Sequence, residues 1–115
     1  MARKQVANGI DPVEERKAQK LAHKISTENS FEAISREWHR NKADRWTVAH
    51  REETIETFEQ DVFPFIGNHP ISEIKPLELL EVLRPIEKRG ALEKTRKVWQ
   101  RCGEVFRYAI ITGRA

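Results

Sequence analysis

Cysteine is all but missing: Cys102 stands alone in 115 residues, so no internal disulfide can staple this chain. Long apolar runs are missing too. None approaches the ~20 residues of a membrane-spanning helix, and the N-terminus has no apolar block of the kind that directs export. The sequence therefore reads as cytoplasmic, with no membrane partner. Glycine and proline number only five each. No Gly-rich loop is available to cradle a phosphate, and there is no low-complexity tract. Histidine is sparse and scattered, at His23, His39, His50 and His69. No His-Glu-x-x-His or Cys-x-x-Cys spacing occurs and no serine stands in a nucleophile elbow, so neither a metal nor another cofactor is expected. A large excess of one charge is also absent: 21 Lys and Arg face 18 Asp and Glu, a net charge of +3. That total says little about partners; its distribution says more.

What is present is helical periodicity. After turn signals at Asn8-Gly9 and Asp11-Pro12, the stretch to about residue 25 carries Val13 and Leu21 among cations, Ala and Gln. Its apolar stripe is too thin to bury much, so it reads as an arm attached loosely to the rest. Ser30 can cap a first core helix in which Phe31, Ile34 and Trp38 mark the buried face, ending near Asn41. A second helix is expected from about Thr47 to Phe63, with Val48, Ile55, Phe58 and Val62 inward. Its acids Glu52, Glu53, Glu56, Glu59 and Asp61 read as a solvated face, not a paired-carboxylate site. Pro64, Gly67-Asn68 and Pro70 punctuate the chain. Pro76 then opens a third helix, with Leu77, Leu80, Leu83 and Ile86 inward, broadened by Leu79 and Val82, and Pro85 expected to kink or shorten it. Arg89-Gly90 ends it. The fourth helix places Leu92, Thr95, Trp99, Cys102, Val105, Phe106, Ala109 and Ile110 on one face, where Cys102 reads as a small core residue. The expected fold is all-α: four core helices with an N-terminal arm that is helical or disordered.

The cations of the last helix are the functional signal. Lys94, Lys97 and Arg101 recur at i, i+3 and i+7, with Arg96 and Gln100 beside them and Thr95 at the open end. Such groups neutralise phosphates, and Arg and Gln also read base edges in a major groove. At 1.5 Å per residue the helix is roughly 30 Å long, enough to lie along a duplex. An ordinary solvated basic face fits the same spacing. On the second helix, Trp46 and His50 lie opposite the expected core face, as do Glu53 and Thr57, with Arg45, Arg51 and Thr54 flanking. Trp46 also fits a partly buried core position. Only the N-terminal end of this acid-rich helix suits a polyanion. Tyr108, the single tyrosine, has no Arg/His constellation around it and reads as a packing or groove residue.

The order Phe31…Trp38, Trp46…His50, then VFPFIGNHPISEIKP and RGALEKTRKVWQRCGEVFRYAIITGRA resembles the core-binding (SAM-like) domain of phage-type integrases, which are tyrosine recombinases. Pro64, Ile66, Gly67, Pro70, Ile71 and Ile74 carry one part of the likeness. Gly90, Ala91, Thr95, Phe106, Tyr108, Ala109 and Ile110 carry the other. The resemblance implies residues 1–29 as the tail of a preceding domain, 30–112 as the core-binding domain, and 113–115 as the start of a linker to a catalytic domain. It implies double-stranded DNA at an attachment-site core as the partner, with the catalytic domain of the same full-length protein completing a clamp around it. Neighbouring recombinase protomers are further implied partners. In such domains the second and fourth helices face DNA. Carried over, this points to Arg45, Trp46, His50, Arg51 and Thr54, and to Lys94, Thr95, Arg96, Lys97, Gln100 and Arg101. The family acts through a phosphotyrosine intermediate, without metal or nucleotide. It needs an Arg, a Lys, a His-x-x-Arg motif and a tyrosine nucleophile in its catalytic half; no His here is followed by Arg at the third position, so the chain reads as not an enzyme by itself. Two other readings stay open: a protein–protein module of the recombinase assembly, and a stand-alone helical DNA binder. Against the last, the connection between the second and third helices is long and Pro-rich, unlike a helix-turn-helix.

Overall fold

The computed structural model describes residues 12–115, apart from the side chains of residues 23–26. The turn signal at Asn8-Gly9 and the His23 side chain lie outside that range. Among the described residues the fold is all-α, with helices α1 (Pro12–Glu28), α2 (Phe31–Lys42), α3 (Val48–Asp61), a single turn α4 (Phe63–Ile66), α5 (Pro76–Lys88) and α6 (Leu92–Ile111). Short 3₁₀ turns at Ala43–Arg45 and Ile71–Glu73 make the connections. The helix α1 stands on the α2 end of the bundle with every described side chain exposed. The molecule measures 61 × 33 × 21 Å.

Local chemistry sets the boundaries. The Ser30 hydroxyl accepts from the Ala33 amide at 3.2 Å, and Thr47 does the same for His50 at 3.1 Å, so each caps a helix start. Two further amides at the start of α2 donate into the loop after α4: Phe31 to the His69 carbonyl at 2.9 Å and Glu32 to that of Gly67 at 3.0 Å. The loop thereby supplies acceptors that the helix itself cannot. Pro76 occupies the first turn of α5, where its missing amide costs nothing. The helix continues past Pro85 to Lys88, so the expected shortening there does not occur. Pro85 lies on the solvent side, away from the packed ridge.

The core is built around an aromatic cluster. Phe31 stacks on Phe58 at 6.2 Å and meets Phe106 at 5.5 Å, while Trp38 stacks on Phe58 at 6.1 Å. Ile34, Val62, Ile66, Ile71, Leu79, Val82, Leu83 and Ile86 fill the space around them.

Three faces differ from the periodicity reading. On α6 the innermost ridge is Val98, Cys102, Val105 and Ala109, all fully buried, whereas Leu92, Trp99 and Ile110 are 64%, 51% and 61% exposed. The ridge that meets α2 and α5 consists of small side chains, which let the helices approach closely; the bulky residues are turned to its flank. On α5, Leu79, Val82, Leu83 and Ile86 face inward and Leu77 and Leu80 are exposed. On α3, Val48 is exposed and Ile55 half-buried, while Thr54, Thr57, Phe58 and Asp61 are buried. Thr54 tolerates that position because its hydroxyl donates to the His50 carbonyl at 2.8 Å. Cys102 is the core residue its spacing indicated, and burial pushes its thiol up to about 12.

Candidate nucleic-acid interface

The turn Ala43–Arg45 folds the chain back on α2 and delivers Trp46 to the mouth of a cleft between α3 and α6. Trp46 is half-buried. Its indole meets Trp38 edge-on at 5.4 Å, His39 at 5.7 Å and His50 at 4.8 Å. His39 is fixed in turn by a 2.8 Å contact from Nε2 to the Arg51 carbonyl. Thr47, at the cap, starts α3 immediately beside this cluster. The first turn of α3 contains no acid, so the positive end of its dipole is uncompensated on that side.

The opposite wall comes from α6. Lys97, Gln100, Arg101 and Glu104 line an open cleft of about 320 Å³ together with Lys42, Trp46 and His50. Lys97 and Gln100 are exposed. Arg101 is different: it is only 8% exposed, and its guanidinium stands 4.0 Å from Glu53. It lines the inner side of the cleft, within ion-pair reach of α3. Chemically the cleft offers an aromatic edge, an imidazole, an amide and cations at one opening. These groups suit a phosphate-bearing polymer with exposed base edges.

The cleft thus unites Trp46, His50, Lys97, Gln100 and Arg101. The remaining residues singled out from the sequence lie elsewhere. Thr54 is buried under the helix and presents nothing to solvent. Lys94 is engaged by Asp61 at 3.0 Å. Thr95 donates its hydroxyl to the Ala91 carbonyl at 2.9 Å and, with Arg96, borders an apolar groove on another side of α6. Arg96 also pairs with Glu93 at 3.1 Å. Arg45 is exposed on the preceding turn and Arg51 is half-buried; neither lines the cleft. Lys42 and Glu104 do line it and were not singled out. Glu104 falls seven residues after Lys97, so helical spacing could have found it. Lys42 is brought in only by the reversal of the chain after α2, which has no periodic signature.

A second polar cluster ties down the end of α6. Arg114 makes a two-pronged contact to Glu37, 2.9 Å to Oε1 and 2.6 Å to Oε2. The Tyr108 hydroxyl donates to Glu37 as well, and accepts from Asn41 at 2.8 Å. The Arg114 and Tyr108 contacts hold the Glu37 carboxyl below its ordinary value, and the same carboxylate raises the Tyr108 phenol. Gly113, with φ of +78°, turns the chain so that the Arg114 amide reaches back to the Ala109 carbonyl at 2.8 Å.

Among the described residues no helix is long and apolar enough to cross a membrane, and no group of His, Cys, Asp or Glu is placed to hold a metal ion. Residues 31–115 match the family model described as the phage integrase central domain. The chain is 48% identical over 114 residues to prophage integrase IntS of Escherichia coli (strain K12), and 48% identical over 114 residues to the integrase of Shigella phage Sf6. Both alignments cover 99% of this chain and 28% of the relative, so the chain spans little more than a quarter of those proteins. The NMR structure of fragment 87–196 from the phage integrase IntS of E. coli superposes with a TM-score of 0.74 at 50% identity, covering 78% of this chain and 76% of that one.

Proposed function

Because this chain belongs to the phage integrase central-domain family, we propose that it is a DNA-binding domain that helps seat a site-specific recombinase on the core of its attachment site. The observation that carries this reading is the cleft itself, in which α3 and α6 converge cations, an aromatic edge and hydrogen-bonding side chains on one opening. Lys97 and Lys42 would neutralise phosphates, and Gln100 and His50 are the groups suited to base edges. Arg101, nearly buried, places its charge on the inner wall of the cleft, and Trp46 presents its ring edge at the mouth. Lys94 and Thr95 are left out of the proposed interface because Asp61 and the Ala91 carbonyl engage them, and Arg96 because it borders a different groove of α6. Thr54 drops out because it is buried.

The chemistry of strand exchange belongs, on this reading, to a catalytic domain outside these residues, and the chain by itself is not an enzyme. One half of a clamp should bind weakly, with steep salt dependence and modest sequence preference. Chemical-shift mapping against a short duplex tests the proposal. Perturbations should cluster at Lys42, Trp46, His50, Lys97 and Gln100. Lys97→Ala should weaken binding and lower the slope of log K against log salt by about one, with the fold intact. Shifts confined to any other surface, or a duplex that leaves the spectrum unchanged at low salt, would overturn it.

A further inference from the structure

One carboxylate lines the cleft between α3 and α6, that of Glu104. It follows Gln100 by four residues and Lys97 by seven, so the three side chains share one stripe of α6. Glu104 is half-buried, with Lys42, His50 and Arg101 on the same lining. Its neighbours nevertheless leave it alone. Arg101, three residues earlier, turns to Glu53 of α3, and Tyr108, one turn later, donates to Glu37. Among the described residues no cation pairs with Glu104 and its carboxylate accepts no hydrogen bond. Asp61 and Glu37 each bind cations and so contribute to the fold; Glu104 makes no such contribution.

An unpaired carboxylate in a cleft that receives a polyanion repels the phosphates that Lys42 and Lys97 attract. It gains something back only from a hydrogen-bond donor. In the major groove the donors are the amines at cytosine N4 and adenine N6, whereas guanine and thymine present acceptors. At adenine the amine stands beside the N7 acceptor, a donor–acceptor pair that suits the amide of Gln100 and opposes a carboxylate. At cytosine the amine has no acceptor beside it on that base. We infer, on the reading of this cleft as a DNA interface, that Glu104 is a specificity-determining residue whose carboxylate accepts from cytosine N4. Any other base leaves the carboxylate drawn out of water with no donor, so it discriminates by exclusion as well as by contact. Gln100 and Glu104 lie ~6 Å apart along the helix axis, close to two base steps of ~3.4 Å, so they address separate base pairs of one site.

The test compares the wild-type chain with Glu104→Ala. Each selects duplexes from a pool with a randomised central stretch, at low salt, where weak binders are retained. The wild-type selection should enrich a C·G pair at a position that Glu104→Ala leaves random, while the other preferences persist. Fluorescence anisotropy then measures the selected duplex against a copy with that pair changed to T·A. The wild-type chain should lose roughly 5- to 150-fold in affinity, and Glu104→Ala should bind the two alike. Glu104→Ala should also hold the unselected pool about 3- to 10-fold more tightly, since one charge opposing the phosphates is gone. A misfolded variant would bind it more weakly, which separates loss of fold from loss of the carboxylate. A wild-type selection without cytosine, or a Glu104→Ala selection that keeps cytosine at the same position, overturns the assignment and leaves the interface standing. A wild-type chain that retains no duplex, or whose retention is unmoved by Lys97→Ala, overturns the interface and the assignment together.

Discussion

Lys94 Nζ stands 3.0 Å from Asp61 Oδ2, and the carboxylate is only 9% exposed while the lysine remains 38% exposed. Arg89 reaches the same carboxylate from the end of α5 at 3.3 Å. One acid at the end of α3 therefore ties down two other helices. Asp61→Ala should lower stability by about 1–2 kcal/mol, less than a fully buried pair would cost, because both cations can turn to water. Urea unfolding checks the value. The same relationship separates two lysines that look alike in sequence: Lys94→Ala should change the urea midpoint more than DNA affinity, and Lys97→Ala the reverse.

Glu37 gives the fold an acid limit. Its carboxyl is held below the ordinary value by Arg114 first and Tyr108 second, so its contribution is complete above the unfolded value of about 4.3 and is lost as pH falls through the folded one. Tyr108 has the opposite sense: its phenol is raised, chiefly by Glu37. That contribution is present below an unfolded value of about 10 and lost as pH rises through the folded one. Glu37→Gln should cost about 1–2 kcal/mol at neutral pH through the lost charge-assisted contacts. It should also flatten the stability profile at both ends. Thermal melts between acid and alkaline pH would reveal an unchanged profile if the cluster were idle.

Gly67 closes α4 where no side chain fits. A Cβ there would lie 2.6 Å from the Phe63 carbonyl oxygen, a backbone atom with no freedom to move aside. Its carbonyl also accepts from the Glu32 amide at the start of α2. Gly67→Ala should destabilise by roughly 1–3 kcal/mol and should disturb the amide signals of Phe31 and Glu32 in a nitrogen–proton correlation spectrum.

Cys102 and Leu92 test which face of α6 is inside. Cys102→Ser places an unpaired hydroxyl in the core and should cost roughly 1–3 kcal/mol. Leu92→Ser alters an exposed side chain and should stay within about 0.5 kcal/mol. The native thiol should resist modification until the chain unfolds. Equal costs at the two positions would restore the face expected from periodicity.

That expectation failed in an instructive way. The all-α fold, the Ser30 cap, the Pro76 start and the buried Phe31, Ile34 and Trp38 were all legible, because they rest on local chemistry or on residues whose neighbours are polar. The orientation of α6 was not. Leu92, Trp99 and Ile110 are among its large apolar residues, and a hydrophobic stripe drawn through them is wide enough to hide which edge is innermost. Packing selects the ridge of small side chains, and nothing in the spacing of one helix states how closely its neighbours will come. Trp46, His50, Lys97, Gln100 and Arg101 are placed on one side only through the family resemblance, which points to the second and fourth helices; the periodicity of either helix alone does not join them. Lys42 escaped, since it joins them only through a reversal of the backbone. Thr54 was misplaced because a threonine whose hydroxyl is satisfied within its own helix can lie inside as easily as outside.

The 17 residues of α1 rise from the bundle with all of their described side chains in water. A helix of that length gains little from propensity alone. On warming, the circular dichroism signal should decline in two stages: a shallow slope while α1 frays, then the sharp step of the packed helices. A ligand or partner that shelters α1 would steepen the first stage and merge it with the second, so the shape of the melt would report occupancy of that helix before any binding constant was measured.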